Sequence, residues 1–480
     1  MHVEDIETDN LVTSYYRNFH KFHPFLLPRK SLIRRHKDAT NRLDLVPLIA
    51  IMRLVGHIYA AQELSPQLKD HAEAGLLQTS PTSPVLVQCR LLYSIVLFWH
   101  NYKPEANREI RTAVKLAVDL KMFRQEFASE NGAEDPVLME CWRRTWWMLY
   151  IVDAYYAGTL GTMNFAVVDI DATVELPCEE WEYELGVIPK TLEDFDCREF
   201  ADESTTFSSF AYLISALRCA ALAISISPKI AAKEDSADII QSADSIIDGW
   251  SLLLPRDRKQ VMTKSGDIDE LMFQAHLLVH VPLSDLKFNA VEDVSSCARD
   301  PPADNPAPDL INVHTVRVLR SVEAQIRLLT LPSRPFQHTP FVTCMVSEGT
   351  LALLSACAFQ LSGKELAIAR DQIRMTIGCL KDLGELWPRT ARNVKEIQTI
   401  ARHVLGLGGS RATGRSSTAG SSNVPSLSGG ESRGSLRSDA EAPSVDNGEI
   451  GSLGSMEDVC GWYNLSDLGP ELEQWMADGL

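Results

Sequence analysis

The chain has 480 residues, 45% hydrophobic and 23% charged, so it can bury the core of one large domain or two smaller ones. Its formal net charge of −18 excludes a general phosphate-gripping surface, which needs clustered lysine and arginine. The ten cysteines form no Cys-x-x-Cys pair, the acidic start is unlike a signal peptide, and the longest apolar stretches are interrupted by polar residues or proline. We therefore expect reduced thiols, a cytosolic or nuclear protein and no membrane span.

Helical periodicity runs from residue 11 to about residue 405. Apolar residues recur at helical spacing, and Ser65-Pro66 and Ser83-Pro84 are typical helix starts, with serine as the N-cap. Strand-type alternation is nearly absent and no solenoid-length repeat appears, so the sequence predicts an all-α fold. The predicted helices cover residues 11–19, 45–59, the segments after Ser65 and Ser83, about 110–117, 136–156, 206–226, 237–254, 268–286, 310–331, 339–359, 364–387 and 388–405.

The predicted helix 136–156, with Asp135 as its expected N-cap, carries a dense aromatic cluster. Aromatic side chains bury large areas, so a core position is favoured over the alternative of a ligand pocket. Arg143 and Arg144 lie inside this apolar helix and are expected to pair with acids, with Asp153 or the loop 169–171 as candidates. The residues that define the cluster are Trp142, Arg143, Arg144, Trp146, Trp147, Tyr150 and Asp153.

Periodicity breaks between Gly158 and Phe200, where glycine, proline and acidic residues indicate a long connection. Connections of this length inside compact domains are usually functional or interaction segments. Asp169-Ile-Asp171 within it has the pattern of a divalent-cation and phosphate site, but no glycine-rich phosphate loop accompanies it. A solvated or arginine-paired loop is therefore favoured for Asp169 and Asp171.

The strongest basic run occupies residues 28–37. Such a run is compatible with nuclear import or with contact to a DNA backbone, but a solvated surface segment is the favoured interpretation. The basic residues concerned are Arg29, Lys30, Arg34, Arg35 and Lys37.

Histidine pairs are the remaining candidates for chemistry. His276 and His280 lie four residues apart on one helix face, a spacing that suits zinc, but no third ligand is evident. Ordinary helix histidines are favoured there, and His20 and His23 are interpreted in the same way. No nucleophile stands beside a base at a recognisable spacing, so the sequence predicts no catalytic or metal site and no enzyme.

The composition changes sharply after Gly406. Residues 408–455 are rich in serine, glycine and arginine and cannot bury enough apolar surface to offset their ordering entropy, so disorder is predicted. Residues 456–480 hold six acids and no base, with large apolar residues between them. We predict an activation segment that enters a coactivator groove, and the alternative is a tail that folds back on its own domain. Its apolar anchors are Trp462, Tyr463, Leu465, Leu468, Leu472, Trp475 and Met476.

Several segments, in order, resemble the regulatory domain of fungal zinc-cluster transcription regulators. They are 15–27 with its His-Pro step, 111–124, the Arg143-Arg144-Thr-Trp146-Trp147 helix, Trp250-Ser-Leu-Leu-Leu-Pro255 and 383–392. The resemblance covers most of residues 11–405. It implies an all-α domain, a nuclear location and control of RNA polymerase II transcription of a gene set, such as a metabolic or biosynthetic cluster. We divide the chain into the two parts of this region, 1–260 and 261–407, the linker 408–455 and the tail 456–480.

That family carries a six-cysteine zinc cluster before the regulatory domain, whereas the first cysteine here, Cys89, already lies inside it. We therefore expect no cofactor in this chain and DNA contact only at family level, whether the chain is a fragment or a finger-less regulator. The expected partners are transcription coactivators or a DNA-bound partner regulator, with a small-molecule effector and a homodimer as further family-level expectations. The alternative function is an all-α ligand-binding or scaffold protein with no role in transcription.

Overall fold

The computed structural model describes residues 6–158, 165–188, 195–200, 207–225, 236–280, 308–332, 336–359 and 361–406. Within these ranges the backbone is helical apart from loops and one isolated β-bridge between Met262 and Ile268, so the predicted all-α fold is confirmed there. Its helices are α1 Asn10–Asn18, α2 Arg29–Lys37, α3 Ala39–Ala61, α4 Pro66–Gln78, α5 Pro84–Trp99, α6 Lys103–Asp119, α7 Gln125–Asn131, α8 Pro136–Gly158, α9 Glu180–Leu185, α10 Ser209–Ser225, α11 Ser236–Leu252, α12 Glu270–Val279, α13 Pro308–Leu329, α14 Val342–Phe359, α15 Gly363–Gly384 and α16 Pro388–Val404. Two short 3-10 helices span His20–Phe22 and Phe195–Phe200.

Three capping residues are predicted from the sequence, and two of them, Ser65 and Asp135, make side-chain capping bonds. The Ser65 hydroxyl accepts from the Leu68 amide at the start of α4, and the Asp135 carboxylate accepts from the backbone of α8, as the sequence predicts. Ser83 is the N-cap of α5 and Pro84 its first residue, as predicted, but the Ser83 side chain makes no capping hydrogen bond. At α5 the backbone carbonyl of Ser83 accepts from the Leu86 amide instead.

Apolar periodicity does not predict three of the described helices, α2, α7 and α9, and α7 has only seven residues. Helix α2 buries only Leu32 and His36, so its apolar stripe is too thin to stand out among five basic residues. Helix α9 has six residues, fewer than two turns, and lies inside the long connection after Gly158. A capping box between Glu179 and Glu182 starts it, and Gly186 ends it in the left-handed conformation.

One apolar core runs through the described part of the chain, from Ile6 to Ala401. Helices α5 and α8 are buried along almost their whole length and lie at its centre. Helix α1 crosses α3 so closely that a side chain on Gly56 would overlap the carbonyl oxygen of Leu11. Helix α10 packs on α12, and α14, α15 and α16 pack against one another. Both sides of residue 260 contribute to this core, and the division at that position stays a prediction.

Among the described helices, the stretch Arg42–Ala61 of α3 is long and apolar enough to cross a membrane. However, 61% of its most apolar window is buried inside the protein, where it packs against α1, α4 and α5. A central core helix satisfies the same criterion of length and composition, so this helix is weak evidence for a membrane span.

Candidate functional site

The tryptophans of α8 lie in the core of the domain. Trp142, Trp146 and Trp147 are all buried, and Tyr150 is buried beside them. The Trp142 indole donates to the Asn131 carbonyl at 3.0 Å, and the Trp147 indole donates to the Glu175 carbonyl at 2.9 Å. These bonds fix α8 against the two segments that flank it in the chain.

Arg144 is the most heavily bonded charge in this region, and its side chain is completely buried. It pairs with Glu140 one turn earlier, at 2.8 Å, and with Glu180 at the start of α9. Its guanidinium also donates to the carbonyls of Pro24, at 3.1 Å, and Cys178, at 2.7 Å. A planar guanidinium with five donors satisfies all four acceptors at once, so one side chain joins three segments of the chain.

The electrostatics of this group explain why it stays charged. Burial alone would lower the pKa of the Arg144 guanidinium, but the carboxylates of Glu180 and Glu140 outweigh it and hold that pKa well above its ordinary value. The guanidinium also lies 4.1 Å from the ring centroid of Tyr183, a cation–π contact. We name Arg144 with Glu140 and Glu180 the first arginine clamp.

A second arginine clamp is centred on Arg258, in the connection between α11 and α12. Arg258 pairs with Glu179, and it donates to the hydroxyl of Ser209 at 2.5 Å and the carbonyl of Phe207 at 3.2 Å. Asp269, the N-cap of α12, lies 3.4 Å from the same guanidinium. The adjacent acids Glu179 and Glu180 are therefore held by arginines that are 114 residues apart in the chain.

The acids that pair with the two arginines of α8 differ from the expected ones. Arg143 pairs with Glu175 and lies 3.5 Å from Glu140, while Arg144 takes Glu140 and Glu180. Asp153 instead accepts from the backbone amides of the 165–168 turn, and burial raises its pKa to about 6. Asp169 and Asp171 are exposed to solvent.

The candidate histidines are held in neutral form by burial. Burial lowers the pKa of His20 and of His23 to about 3, and that of His280 to about 4. A ring nitrogen of His276 lies 2.9 Å from the carbonyl of Arg258, which ties α12 to the second arginine clamp. No group of three or more potential metal ligands occurs among the described residues.

Comparison with known proteins finds two similarities that include this geometry. Residues 13–236, which include most of α1, all of α2 to α10 and the first arginine clamp, match the fungal specific transcription factor domain. A relative, the C6 finger domain transcription factor iacK of Pestalotiopsis fici, is 29% identical over 410 residues, which cover 83% of this chain and 59% of that protein. The chain thus spans less than two thirds of that relative's length, and no solved structure matches it.

The later segments that resemble the family are also placed in the structure. Trp250, near the end of α11, is buried and packs edge-on against His276 with ring centroids 5.6 Å apart. Pro255 is exposed, and its carbonyl accepts from the amides of Arg258 and Lys259. The turn after α11 thereby brings Arg258 back to Glu179 and Phe207 in the second arginine clamp.

The cysteines do not fit the zinc cluster that such regulators carry. The described cysteines are all free thiols, buried or half-buried, at Cys89, Cys141, Cys178, Cys219, Cys344, Cys357 and Cys379. Burial raises the pKa of Cys141 to about 11, whereas zinc ligation needs a thiolate. The expectation that this chain carries no cofactor stays a prediction.

The basic run forms helix α2 on the surface of the domain. Arg29 donates to the Glu7 carbonyl and the Thr13 hydroxyl, both at 2.9 Å, and Arg34 pairs with Asp135 at 2.9 Å. Lys37 pairs with Glu7 at 2.6 Å, Lys30 is exposed and Arg35 is half-buried. The run is thus a folded helix that is partly neutralised by acids, and its part in nuclear import stays a prediction. The linker 408–455 and the tail 456–480 lie outside the described residues.

Sequence reasoning missed Glu140, Glu179, Glu180 and Arg258. With 64 acidic residues in the chain, no sequence pattern distinguishes the carboxylates that meet a buried arginine. One signal was available for Glu140, because it lies four residues before Arg144 on the same helix face.

Proposed function

We propose that this protein is a fungal transcription regulator whose helical domain controls RNA polymerase II transcription of a gene set. The match of residues 13–236 to the fungal specific transcription factor domain carries this proposal. The relative iacK, named a C6 finger domain transcription factor, supports the same assignment. Because the chain spans only 59% of that relative, the mode of DNA contact and the target genes belong to the proposal as well.

Deletion of the gene followed by transcript sequencing tests the proposal directly. We expect a defined set of transcripts to change, and chromatin recovered with the tagged protein to be enriched at the promoters of those genes. A metabolic or biosynthetic gene cluster is the expected target class. Unchanged transcripts, together with no promoter enrichment, would contradict a role in transcription and favour an all-α scaffold.

The tail is proposed to recruit coactivators. Its six acidic residues keep the apolar anchors soluble, so the anchors remain available to bind an apolar groove on a partner. Fusing residues 456–480 to a heterologous DNA-binding domain should activate a reporter, and the same fusion with Trp462, Leu468 and Trp475 changed to alanine should not. An inactive fusion that is expressed and nuclear would refute the activation role while leaving the regulatory domain in place.

The nucleus is the proposed location, with α2 as the import element. Fluorescently tagged full-length protein should accumulate there. Changing the exposed Lys30 and Arg34 to glutamine should shift it to the cytoplasm, since both side chains face solvent. A matched control changes Lys364 and Lys395, which are exposed on α15 and α16. Equal nuclear accumulation of all three proteins would exclude α2 as the import element.

We also propose that a small-molecule effector binds the helical domain and regulates it. Support comes from a buried aromatic layer in which Phe19, Tyr59 and Trp387 lie with ring centroids 6.1 to 6.4 Å apart. The Tyr59 hydroxyl and the indole N–H of Trp387 are buried there without a hydrogen-bond partner in the protein. Native mass spectrometry of the purified full-length chain should show a mass excess that denaturation removes, and the native mass of the bare chain would count against an effector.

A further inference from the structure

Helix α9 and the residue pair after it carry an exposed apolar patch. Trp181 is 60% exposed, Leu185 is 67% exposed and Val187 is 63% exposed. Single exposed apolar side chains are ordinary, but three within seven residues, one of them tryptophan, are more than isolated exposure explains. Trp181 and Leu185 are four residues apart, so they share one face of the helix. We call Trp181, Leu185 and Val187 the α9 patch.

The opposite side of α9 is fixed to the domain at several points. Glu179 and Glu180 enter the two arginine clamps, and the buried Tyr183 donates its hydroxyl to the Leu26 carbonyl at 3.1 Å. Gly186 lies against Val137, the second residue of α8. A helix of six residues has little stability of its own, so these contacts are what hold its outer face in one conformation.

This preorganisation matters for binding. A surface that is already ordered loses little conformational entropy when a partner arrives, and tryptophan is among the residues that most often dominate an interface. Two arginines, the buried Arg144 and the partly buried Arg258, therefore hold a helix that presents apolar side chains to solvent. Packing of the core does not explain this arrangement, because the side chains of the α9 patch are exposed to solvent.

Acidic residues surround the α9 patch, and their charge indicates the kind of partner surface that complements it. Glu184 is exposed between Trp181 and Leu185, Glu182 is half-exposed in the capping box, and Glu134 is exposed three residues before Val137, which touches Gly186. Acids thus border the apolar side chains on the helix itself and on the neighbouring turn. An apolar anchor with an acidic border complements an apolar groove bordered by lysine and arginine.

We propose that the α9 patch is a preformed docking element for a partner protein that presents an apolar groove bordered by basic residues. The patch repeats, in folded form, the acidic-apolar chemistry of the tail 456–480. This proposal depends on the geometry of α9 alone and stands whether or not the tail activates transcription.

The test measures binding of a chemically defined probe to the full-length chain. A fluorescein-labelled amphipathic peptide of leucine and lysine serves as the probe, and the equivalent peptide of leucine and glutamate serves as its control, both followed by fluorescence anisotropy. The double variant Trp181→Ala, Leu185→Ala removes the patch. The matched variant Leu43→Ala, Leu77→Ala removes two apolar residues exposed elsewhere, on α3 and α4. Thermal unfolding monitored by circular dichroism verifies that each variant is folded.

We expect the leucine-lysine peptide to bind at least about tenfold more weakly to the Trp181→Ala, Leu185→Ala variant than to the native chain or the matched variant. Glu184→Lys should also weaken binding, and raised salt should shrink this effect because it is electrostatic. Equal binding to both double variants, or equal binding of the leucine-glutamate peptide, would overturn the proposal. Concentration-dependent dimerisation that disappears in the Trp181→Ala, Leu185→Ala variant would also overturn it, because a second copy of the chain would then be the occupant.

Discussion

Replacing Arg144 with methionine is the sharpest test of how this domain is held together. Methionine keeps the length of the apolar stem but removes the guanidinium, which joins α8 to α9 and to the backbone at Pro24 and Cys178. The substitution leaves the almost fully buried Glu140 without its main countercharge. The change therefore exposes what the first arginine clamp contributes.

The magnitude follows from burial. Breaking a buried ion pair by removing one partner costs about 3–5 kcal/mol, mostly because the remaining charge stays desolvated. Glu180 escapes most of that cost, because its side chain is 40% exposed and can be hydrated. Glu140 keeps one good hydrogen bond, from the Cys178 amide at 2.9 Å. We expect Arg144→Met to reduce the free energy of unfolding by about 3–5 kcal/mol, a large part of the ~5–15 kcal/mol typical of folded domains.

The assay is urea denaturation of the full-length chain, followed by tryptophan fluorescence and far-ultraviolet circular dichroism. Arg34→Met is the matched control, since Arg34 makes an ion pair with Asp135 at 2.9 Å but is 68% exposed, and exposed pairs contribute about 1 kcal/mol or less. Adding Glu140→Gln to Arg144→Met removes the stranded charge and should recover part of the loss. Equal costs for Arg144→Met and Arg34→Met, or no recovery from Glu140→Gln, would refute the argument.

Three further predictions, which use four variants, test other parts of the fold by the same denaturation assay. Gly56→Ala should destabilise the protein by about 2 kcal/mol or more, because the new methyl group overlaps the Leu11 carbonyl. Gly378→Ala is its control: the new methyl group meets open space on α15, and the variant should be more stable by up to about 1 kcal/mol. Asp153 has a folded pKa of about 6, above its usual 3.8, so ionisation costs stability as pH rises through that range. Asp153→Asn should therefore gain up to about 3 kcal/mol relative to the native chain between pH 4 and pH 7. Burial lowers the pKa of His20 to about 3 in the folded protein, from an ordinary value of 6.5. The free energy of unfolding therefore falls as the pH drops below 6.5, because the unfolded chain binds the proton more readily. His20→Phe should reduce the slope of unfolding free energy against pH by about 1.4 kcal/mol per pH unit.

Each of these predictions has an outcome that contradicts it. Equal stability of the two glycine variants would mean that α1 and α3 are not in close contact. A difference between Asp153→Asn and the native chain that does not change with pH would mean that Asp153 titrates normally. An unchanged acid slope in His20→Phe would mean that this imidazole is accessible to protons in the folded state.

The sequence determined the class of fold and most of its helices. The long apolar segment, Pro136 at its first position and the Asp135 cap located α8 to within two residues of both ends, because these signals act through local chemistry. The same reasoning failed where the local signal was small. The sequence predicts a charged surface run where α2 lies and an irregular connection where α9 lies, since six residues cannot show a period.

Only the tertiary structure decided which charges meet. Arg144 pairs with Glu180 across 36 residues of sequence, and Arg258 pairs with Glu179 across 79, while the expected partners Asp169 and Asp171 lie in solvent. The sequence predicted that arginines inside an apolar helix need acids, because a buried charge cannot remain unpaired. It could not say which acids, since pairing over such distances depends on how packed helices bring remote segments together. The same packing turns the two acids at residues 179 and 180 inward and leaves Trp181 in water.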